Sequence, residues 1–360
     1  YIVIKEKYTS ITNEDDYLSF LPTSENVKLI GRYYQNEDVT WLVQSGSAIE
    51  FYVRGTKAQI ILVGDNSIEV EEDFHPRYGV YLNDEIILNT IINETEKTIE
   101  LFEIESEKTF KVKVMLLSEN MNGGIGIKKI KVLSSEKDAV KPVEKKELLI
   151  EFIGDSITCA YGVEGKDQNE HFKTTTENFA KSYAYLTAQA LDADYSAVSY
   201  SGYGIVSGYS NGEKNAEEIL ADNYELNGKN KNYCEEWDFE IRQPDLIVIN
   251  FGTNDNNYVQ ADPDTRKNEF IVGYANLLSN VREHNPNANI LCTLGVMGAS
   301  EMFPLIETSI NIFGDQKIFS YLLPIQNMQE DGLGSDWHPT EKTQIKTSKL
   351  IVEKIKELLA

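Results

Sequence analysis

The stretch Phe152-Ile153-Gly154-Asp155-Ser156-Ile157-Thr158 decides the fold of the second half of this chain. It follows the apolar residues 148–150, which predict a short buried strand. A strand that ends at Gly-Asp-Ser places a serine hydroxyl at the carboxyl edge of a sheet, where open α/β folds carry their chemistry. Gly154 permits the sharp turn, and Asp155 can hold the loop through hydrogen bonds to the main chain. Ser156 is therefore a candidate nucleophile, and a helix N-cap is its alternative role.

Strand-like and helical segments alternate from residue 148 onward. Further strands are predicted at residues 195–200, 246–251, 290–292 and 318–321. Helices are predicted at residues 181–191, 265–284, 302–311 and 340–359. This alternation is typical of a mostly parallel sheet with helices on both faces. We therefore expect residues 147–360 to form a doubly wound α/β domain.

The first half of the chain has a different pattern, with short strand-like runs and little helical periodicity. Two such runs are residues 48–53, which Gly55 is expected to end, and residues 58–63. Residues 81–86 predict a hairpin that turns at Asn83-Asp84. The pattern continues at residues 98–104, 110–116 and 125–132. Residues 1–140 are thus expected to form an all-β jelly-roll sandwich, with residues 134–147 as the linker.

Composition restricts the partners and the compartment. The formal net charge of −24 over 360 residues argues against nucleic acid and anionic membranes as partners, and a neutral polysaccharide fits it. No apolar run is long enough to span a bilayer. Cys159, Cys234 and Cys292 are scattered and odd in number, which favours a reducing compartment, so a cytoplasmic location is expected. Secretion is the alternative, with the leader absent from this chain, and the sequence leaves homo-oligomerisation open.

A serine at neutral pH needs a base to take its proton, and the chain offers four histidines. His338 is the candidate, because it lies in a loop just before the last predicted helix and can face the end of the first strand. Asp336 could accept the Nδ1 proton of His338 and so leave Nε2 free as the base. The alternative is that Asp336 caps a turn and that His338 is a surface residue.

An oxyanion also needs hydrogen-bond donors, and two further strands are followed by suitable residues. Asn254 follows one strand and Gly202 follows another, so the Asn254 amide and the N–H groups of Gly202 and Ser156 could converge. Asn254 and Gly202 could instead be ordinary turn residues. Trp337 could stack on a sugar ring, or it could be a core residue. No metal or organic cofactor is expected, because the histidines lack the spacing of metal ligands.

Together these residues resemble the SGNH hydrolase superfamily, whose fold is flavodoxin-like. The matching blocks are Gly154-Asp155-Ser156, Gly202, Gly252-Thr253-Asn254-Asp255 and Asp336-Trp337-His338-Pro339. The Asp-Trp-His-Pro form, residues 156–162 and residues 243–250 are similar to carbohydrate esterase family two, whose members place a jelly roll before the SGNH domain. The stretches 31–41 and 45–51 resemble that family's sandwich domain. Ala160 departs from the pattern, because a glycine is expected there.

The resemblance implies the removal of acetyl groups from plant polysaccharides such as xylan or glucomannan. It implies a Ser156–His338–Asp336 triad with an acyl-enzyme intermediate, although some members manage with a Ser-His dyad. Two alternatives remain open at this point. One is a lipase or thioesterase on the same scaffold, and the other is a carbohydrate-binding protein with a vestigial esterase site.

Overall fold

The computed structural model describes residues 16–230 and 232–359. The chain divides into two compact units between Lys145 and Lys146. Within the described residues, no helix is both long enough and apolar enough to cross a membrane.

The first unit is an antiparallel β-sandwich. Its described strands are β1 (Leu18–Phe20), β2 (Lys28–Ile30), β3 (Tyr33–Asn36), β4 (Val39–Leu42), β5 (Ala48–Gly64), β6 (Arg77–Leu82), β7 (Glu85–Ile91), β8 (Glu96–Leu116), β9 (Ile125–Leu133) and β10 (Val140–Pro142). They follow the order β3-β4-β9-β5-β8-β6-β7, with β1 on β9 and with β2 and β10 on β5. Every pairing is antiparallel, and the buried side chains form one apolar core.

The prediction that Gly55 ends a strand is wrong, because β5 continues through it to Gly64. The register against β8 shifts between Gly55 and Lys57, so the strand bulges there instead of ending. A Cβ on Gly55 would lie 2.4 Å from the Leu133 carbonyl oxygen, and this close approach is what the glycine permits. The runs 98–104 and 110–116 likewise form one strand, β8.

The hairpin predicted at Asn83-Asp84 is confirmed. The two residues join β6 to β7 and have φ values of 50° and 69°, the left-handed pair that a tight hairpin turn requires. The predicted linker, in contrast, contains regular structure, because β10 pairs with β5.

The second unit is built on a parallel five-stranded sheet. Its strands are β11 (Leu149–Gly154), β12 (Asp194–Ser199), β13 (Leu246–Asn250), β14 (Asn289–Leu294) and β15 (Ile318–Leu322), in the order β12-β11-β13-β14-β15. Every residue of β11 and β13 is buried, as expected for central strands covered on both faces. The five strands predicted from the sequence are all present, and β11 and β13 bring residues 155–156 and 251–255 to one sheet edge.

The helices of this unit are α1 (Ser156–Cys159), α2 (Tyr183–Ala190), α3 (Asn256–Ala261), α4 (Pro263–His284), α5 (Phe303–Phe313), α6 (Met328–Asp331) and α7 (Glu341–Leu359). The four longer helices, α2, α4, α5 and α7, lie where the sequence predicts them. Gln344 of α7 accepts a hydrogen bond from the Tyr183 N–H and donates one to the Ile157 carbonyl oxygen (2.8 and 3.0 Å). The last helix therefore helps to fix α1, which carries Ser156.

Candidate active site

Ser156 stands at the first position of α1, and only Asp155 separates it from the end of β11. The turn needs Gly154, because a Cβ there would lie 1.9 Å from Oγ1 of Thr158. Asp155 caps the helix by accepting a hydrogen bond from the Ile157 N–H (2.9 Å). The capping role that was the alternative for Ser156 thus belongs to Asp155, and the serine hydroxyl is left for other contacts.

The hydroxyl of Ser156 faces His338. Nε2 of His338 lies 2.9 Å from Oγ of Ser156, which is hydrogen-bond distance for a nucleophile and its base. Nδ1 of His338 lies 3.0 Å from the main-chain oxygen of Asp336 and 3.2 Å from that of Ser335. A carbonyl oxygen can only accept a hydrogen bond, so Nδ1 must carry the proton. Nε2 of the neutral ring therefore has its lone pair toward Ser156.

The protonation state of His338 suits the same role. Burial lowers the pKa of His338 to about 4, and the hydrogen bonds to the Asp336 and Ser335 carbonyl oxygens and the Asp336 charge only partly oppose this effect. The imidazole is neutral at pH 7 as a result, and it can accept a proton from Ser156.

The prediction that the Asp336 carboxylate accepts the Nδ1 proton of His338 is wrong. Oδ1 of Asp336 lies 2.9 Å from Nδ1 of His171, and Oδ2 accepts hydrogen bonds from the Tyr161 hydroxyl (2.8 Å) and the Phe172 N–H (3.0 Å). Burial raises the pKa of Asp336, but these hydrogen bonds outweigh it, so the pKa is lower than usual. The contact with His338 is made by the Asp336 main chain.

The backbone conformation explains this difference. Asp336 and Trp337 both lie in the left-handed region, with φ values of 49° and 69°. Neither residue is glycine, so each conformation costs about 1–2 kcal/mol, which the surrounding contacts must offset. The left-handed turn presents the Asp336 carbonyl to His338 while its side chain meets a different loop.

That loop, residues 161–172, is the part of the site that the sequence analysis missed. The Tyr161 ring lies against the His338 imidazole, with 4.1 Å between the ring centroids. The Ser335 N–H donates to the Gly162 carbonyl oxygen (3.0 Å), and the Asp336 N–H donates to that of Glu170 (3.2 Å). The loop therefore holds both carbonyl groups that orient His338, and no local motif signals such a contact.

The candidate oxyanion residues lie on the same cavity as the serine and the histidine. The cavity has a volume of about 710 Å³, and Ser156, Gly202, Asn254, Trp337 and His338 all line it. Nδ2 of Asn254 donates to the Tyr203 carbonyl oxygen (2.7 Å) and lies 3.5 Å from Oδ2 of Asp155, so the amide is held in place. The structure thus brings together every residue predicted for the site, with the Asp336 carboxylate displaced.

Asp255 belongs to one of the matching blocks, but the sequence analysis gave it no role. It is fully buried and accepts hydrogen bonds from the N–H groups of Ile205, Val206 and Ser207 (2.8–3.1 Å). Burial raises the pKa of Asp255 to about 6 despite these three donors. Asp255 follows Asn254 directly, so it ties the loop after β12 to the residue that carries the candidate oxyanion amide.

Trp337 is a surface residue, not a core one. The residue is 56% exposed and lines the cavity, which leaves a ring face available to a ligand. Ala160 adopts the left-handed conformation (φ 61°, ψ 40°), which is the reason that a glycine is expected at this position.

A parallel α/β sheet that carries a serine and a neutral histidine at its edge is an arrangement typical of serine hydrolases. The model of the GDSL-like Lipase/Acylhydrolase family matches residues 152–316. The chain is homologous by sequence and structure to the family two carbohydrate esterases.

Three relatives illustrate this homology. Cellulase/esterase CelE of Acetivibrio thermocellus is 31% identical over 325 residues, which is 86% of this chain but only 36% of CelE. An acetylxylan esterase / glucomannan deacetylase of Cellvibrio japonicus is 23% identical over 93% of this chain and 89% of its own length. A family two carbohydrate esterase from Clostridium thermocellum, solved in complex with cellohexaose, superimposes with a TM-score of 0.80. It is 27% identical, over 92% of this chain and 99% of that one.

Proposed function

We propose that this chain is a carbohydrate O-acetyl esterase that releases acetate from acetylated plant polysaccharides or oligosaccharides. The observation that carries the proposal is the 2.9 Å contact between Oγ of Ser156 and Nε2 of His338, in a cavity that Gly202, Asn254 and Trp337 also line. The names of the esterase relatives support the choice of an acetylated polysaccharide such as xylan or glucomannan.

Acylation begins with the hydroxyl of Ser156. Oγ attacks the acetyl carbonyl carbon as its proton moves to Nε2 of His338, and the carbonyl oxygen becomes an oxyanion. The N–H groups of Ser156 and Gly202 and the Asn254 amide donate hydrogen bonds to that oxygen. The intermediate collapses when the C–O bond to the sugar breaks, and Nε2 returns the proton to the departing sugar oxygen. Ser156 is then acetylated.

Deacylation repeats these steps with water as the nucleophile. Nε2 of His338 takes a proton from the water as its oxygen attacks the acetyl carbonyl. Collapse of the second intermediate breaks the bond to Oγ and releases acetic acid, which ionises to acetate, while Nε2 returns its proton to Ser156. Both halves of the reaction thus use the side chains of Ser156, His338 and Asn254, the main-chain N–H groups of Ser156 and Gly202, and one water molecule.

The imidazolium that forms in both halves needs a partner at Nδ1. The main-chain oxygens of Ser335 and Asp336 are this partner. A carbonyl oxygen can only accept a hydrogen bond, so Nδ1–H is the donor in both contacts. We therefore infer a Ser156–His338 dyad in which the Asp336 carboxylate is a positioning group. It holds the turn against Tyr161, His171 and Phe172 instead of contacting the imidazole.

The lining of the cavity favours a sugar over a long acyl chain. Beside the reacting residues and the side chains of Tyr209, Met297 and Ala299, it carries the polar side chains of Ser201, Glu218, Thr253, Asn256 and Asn257, which offer hydrogen-bond partners to a sugar. A lipase or thioesterase would need an apolar channel as long as the acyl chain of its substrate. The exposed face of Trp337 adds a surface on which a pyranose ring can stack.

Acetate release from acetylated xylan, glucomannan and cello-oligosaccharides tests the proposal, together with the rates on 4-nitrophenyl acetate and octanoate. We expect turnover of the acetylated carbohydrates and a strong preference for the acetyl ester over the octanoyl ester. Ser156→Ala serves as the control for serine-dependent turnover. Binding of the carbohydrates without any ester turnover would instead favour a vestigial site.

We also propose the finer fold assignment, a doubly wound flavodoxin-like unit and a jelly-roll sandwich. Phe152 of β11 contacts Tyr183 of α2, whereas its neighbour Ile153 packs in the same apolar cluster as Phe270 and Tyr274 of α4. Successive strand residues face opposite sides of a sheet, so these contacts support helices on both faces.

A further inference from the structure

Glu218 has no part in the mechanism above, although it lines the same cavity as Ser156 and His338. Its Oε2 accepts a hydrogen bond from Nδ2 of Asn215 (2.8 Å). Within the described residues, this is the only hydrogen bond of the carboxylate, and it has no ion pair. A half-buried carboxylate with free acceptor capacity therefore faces the space where a substrate would bind.

Two glycines make room for this carboxylate. A Cβ on Gly202 would lie 3.1 Å from Oε2 of Glu218, and a Cβ on Gly208 would lie 3.0 Å from the same atom and 2.6 Å from Cβ of Glu218. Both contacts are tighter than an ordinary van der Waals distance. The carboxylate can occupy its position beside the candidate oxyanion donor only because both residues lack side chains.

The main chain fixes the loop that carries Glu218. The Gly204 N–H donates to the Glu218 carbonyl oxygen (3.0 Å), and the Tyr209 N–H donates to that of Gly202 (2.7 Å). The Gly208 N–H donates to the carbonyl oxygen of Asn215 (2.9 Å). Asn215 is the residue whose side-chain amide contacts the Glu218 carboxylate. The carboxylate is thus held in a defined place and is not a freely moving surface group.

A negative charge beside an oxyanion hole opposes the negative charge that develops in the transition state. This cost makes the position unsuitable for a carboxylate unless the substrate uses it. A carboxylate without a cationic partner is an acceptor for two or more hydroxyl groups, which a sugar supplies. The same charge repels a carboxylate on the substrate.

We propose that Glu218 determines specificity at the acetyl-ester site: its carboxylate accepts hydrogen bonds from sugar hydroxyl groups near the ester and disfavours substrates that carry a carboxylate there. The proposal rests on the esterase function proposed above and names its substrate class, which is neutral hydroxylated sugars and not uronic acids.

Glu218→Gln is the test variant, since glutamine keeps the size and the acceptor for Asn215 but removes the charge. Glu217→Gln is the matched control, because it removes the same charge from an exposed side chain one residue away. The substrates are 4-nitrophenyl acetate, a mono-O-acetylated methyl glucoside and the corresponding methyl glucuronoside. Circular dichroism verifies that both variants are folded.

We expect Glu218→Gln to lower the ratio of kcat/KM for the glucoside to that for 4-nitrophenyl acetate by about 10-fold, because a charge-assisted hydrogen bond is lost. The preference for glucoside over glucuronoside should shrink as well, and Glu217→Gln should change neither ratio. Equal losses on all substrates, or the same ratios in both variants and the wild type, would overturn the proposal.

The proposed esterase function can fail independently of this inference. If the wild type turns over no acetyl ester, the esterase function is wrong, and cellohexaose binding by calorimetry then tests Glu218. We expect Glu218→Gln to raise the Kd about 10-fold relative to Glu217→Gln. An unchanged Kd would contradict the role of Glu218 in binding sugars.

Discussion

The main-chain oxygen of Asp336 lies 3.0 Å from Nδ1 of His338, while the carboxylate of the same residue lies 2.9 Å from Nδ1 of His171. One residue therefore contributes to the site with its backbone and stabilises a neighbouring loop with its side chain. The orientation of the base consequently depends on a backbone conformation, φ 49° at Asp336, and not on an ion pair.

Ser156→Ala tests the nucleophile. Removal of Oγ leaves no atom to form the acyl-enzyme, so we expect turnover of 4-nitrophenyl acetate to fall by several orders of magnitude. The circular dichroism spectrum should be unchanged, because the cap of α1 is supplied by Asp155. Residual activity above about a tenth of wild type would contradict the assignment.

Asp336→Asn tests the dyad. In a triad of the serine-protease kind, this change lowers kcat by roughly 10⁴-fold. Here the carbonyl oxygen is retained, and only the contacts of the side chain weaken, so we expect kcat to fall by no more than about 10-fold.

The control for this variant is Asp222→Asn, which removes a charge from an exposed residue outside the cavity. Comparison of kcat for the two variants at pH 7 isolates the role of the Asp336 carboxylate. A loss near 10⁴-fold for Asp336→Asn would restore the triad.

The pH dependence of kcat/KM tests the state of His338. The base works only when it is neutral, and its pKa is lowered to about 4. We expect kcat/KM on a neutral ester to stay nearly constant from pH 7 to about pH 5.5 and to reach half its maximum near pH 4, against about 6.5 for an unperturbed histidine. A midpoint at or above pH 6 would show that the imidazole is not desolvated as described.

The free energy of unfolding reports the titration of His338 less clearly than kinetics does, because His338 and Asp255 change it in opposite directions as the pH falls. The lowered pKa of His338 means that the unfolded chain binds more protons between about pH 6.5 and 4, so acidification destabilises the fold. The pKa of Asp255 is raised to about 6 in the fold, so acidification from pH 6 to 3.8 stabilises it. Kinetics is therefore the more direct measurement.

Asp255→Asn tests the loop that carries the oxyanion donors. Asparagine keeps an acceptor oxygen for the three N–H groups, but its own amide places a further donor among them. We expect a loss of about 1–3 kcal/mol in the free energy of unfolding and a fall in kcat, measured by denaturant titration and steady-state kinetics.

Asp262→Asn is the matched control for this prediction, since Asp262 is exposed, lies in the same region of the chain, and makes no side-chain hydrogen bond as the N-cap residue of α4. Wild-type stability and kcat in Asp255→Asn would contradict the role of Asp255 in holding the loop.

The sequence alone predicted most of the elements that place the site. The apolar runs of β11, β13 and β14 were recognisable because these strands are buried on both faces, and α7 was recognisable because its apolar stripe is long. Ser156 and His338 could be paired because each lies at a position where this topology brings chain segments to one sheet edge. The run around Gly55 was misread, since a glycine that ends a strand and one that allows a bulge look alike without the neighbouring strand.

The amino-acid sequence by itself determined the residue types at the site and the positions along the chain of the strands that carry them. Only the tertiary structure decided which atoms meet. Asp336 stands two residues from His338 in either case, but the sign of its φ angle selects the carbonyl or the carboxylate for the contact. That sign depends on Tyr161, His171 and Phe172, which lie more than 160 residues away in sequence and bind the carboxylate only after the chain has folded.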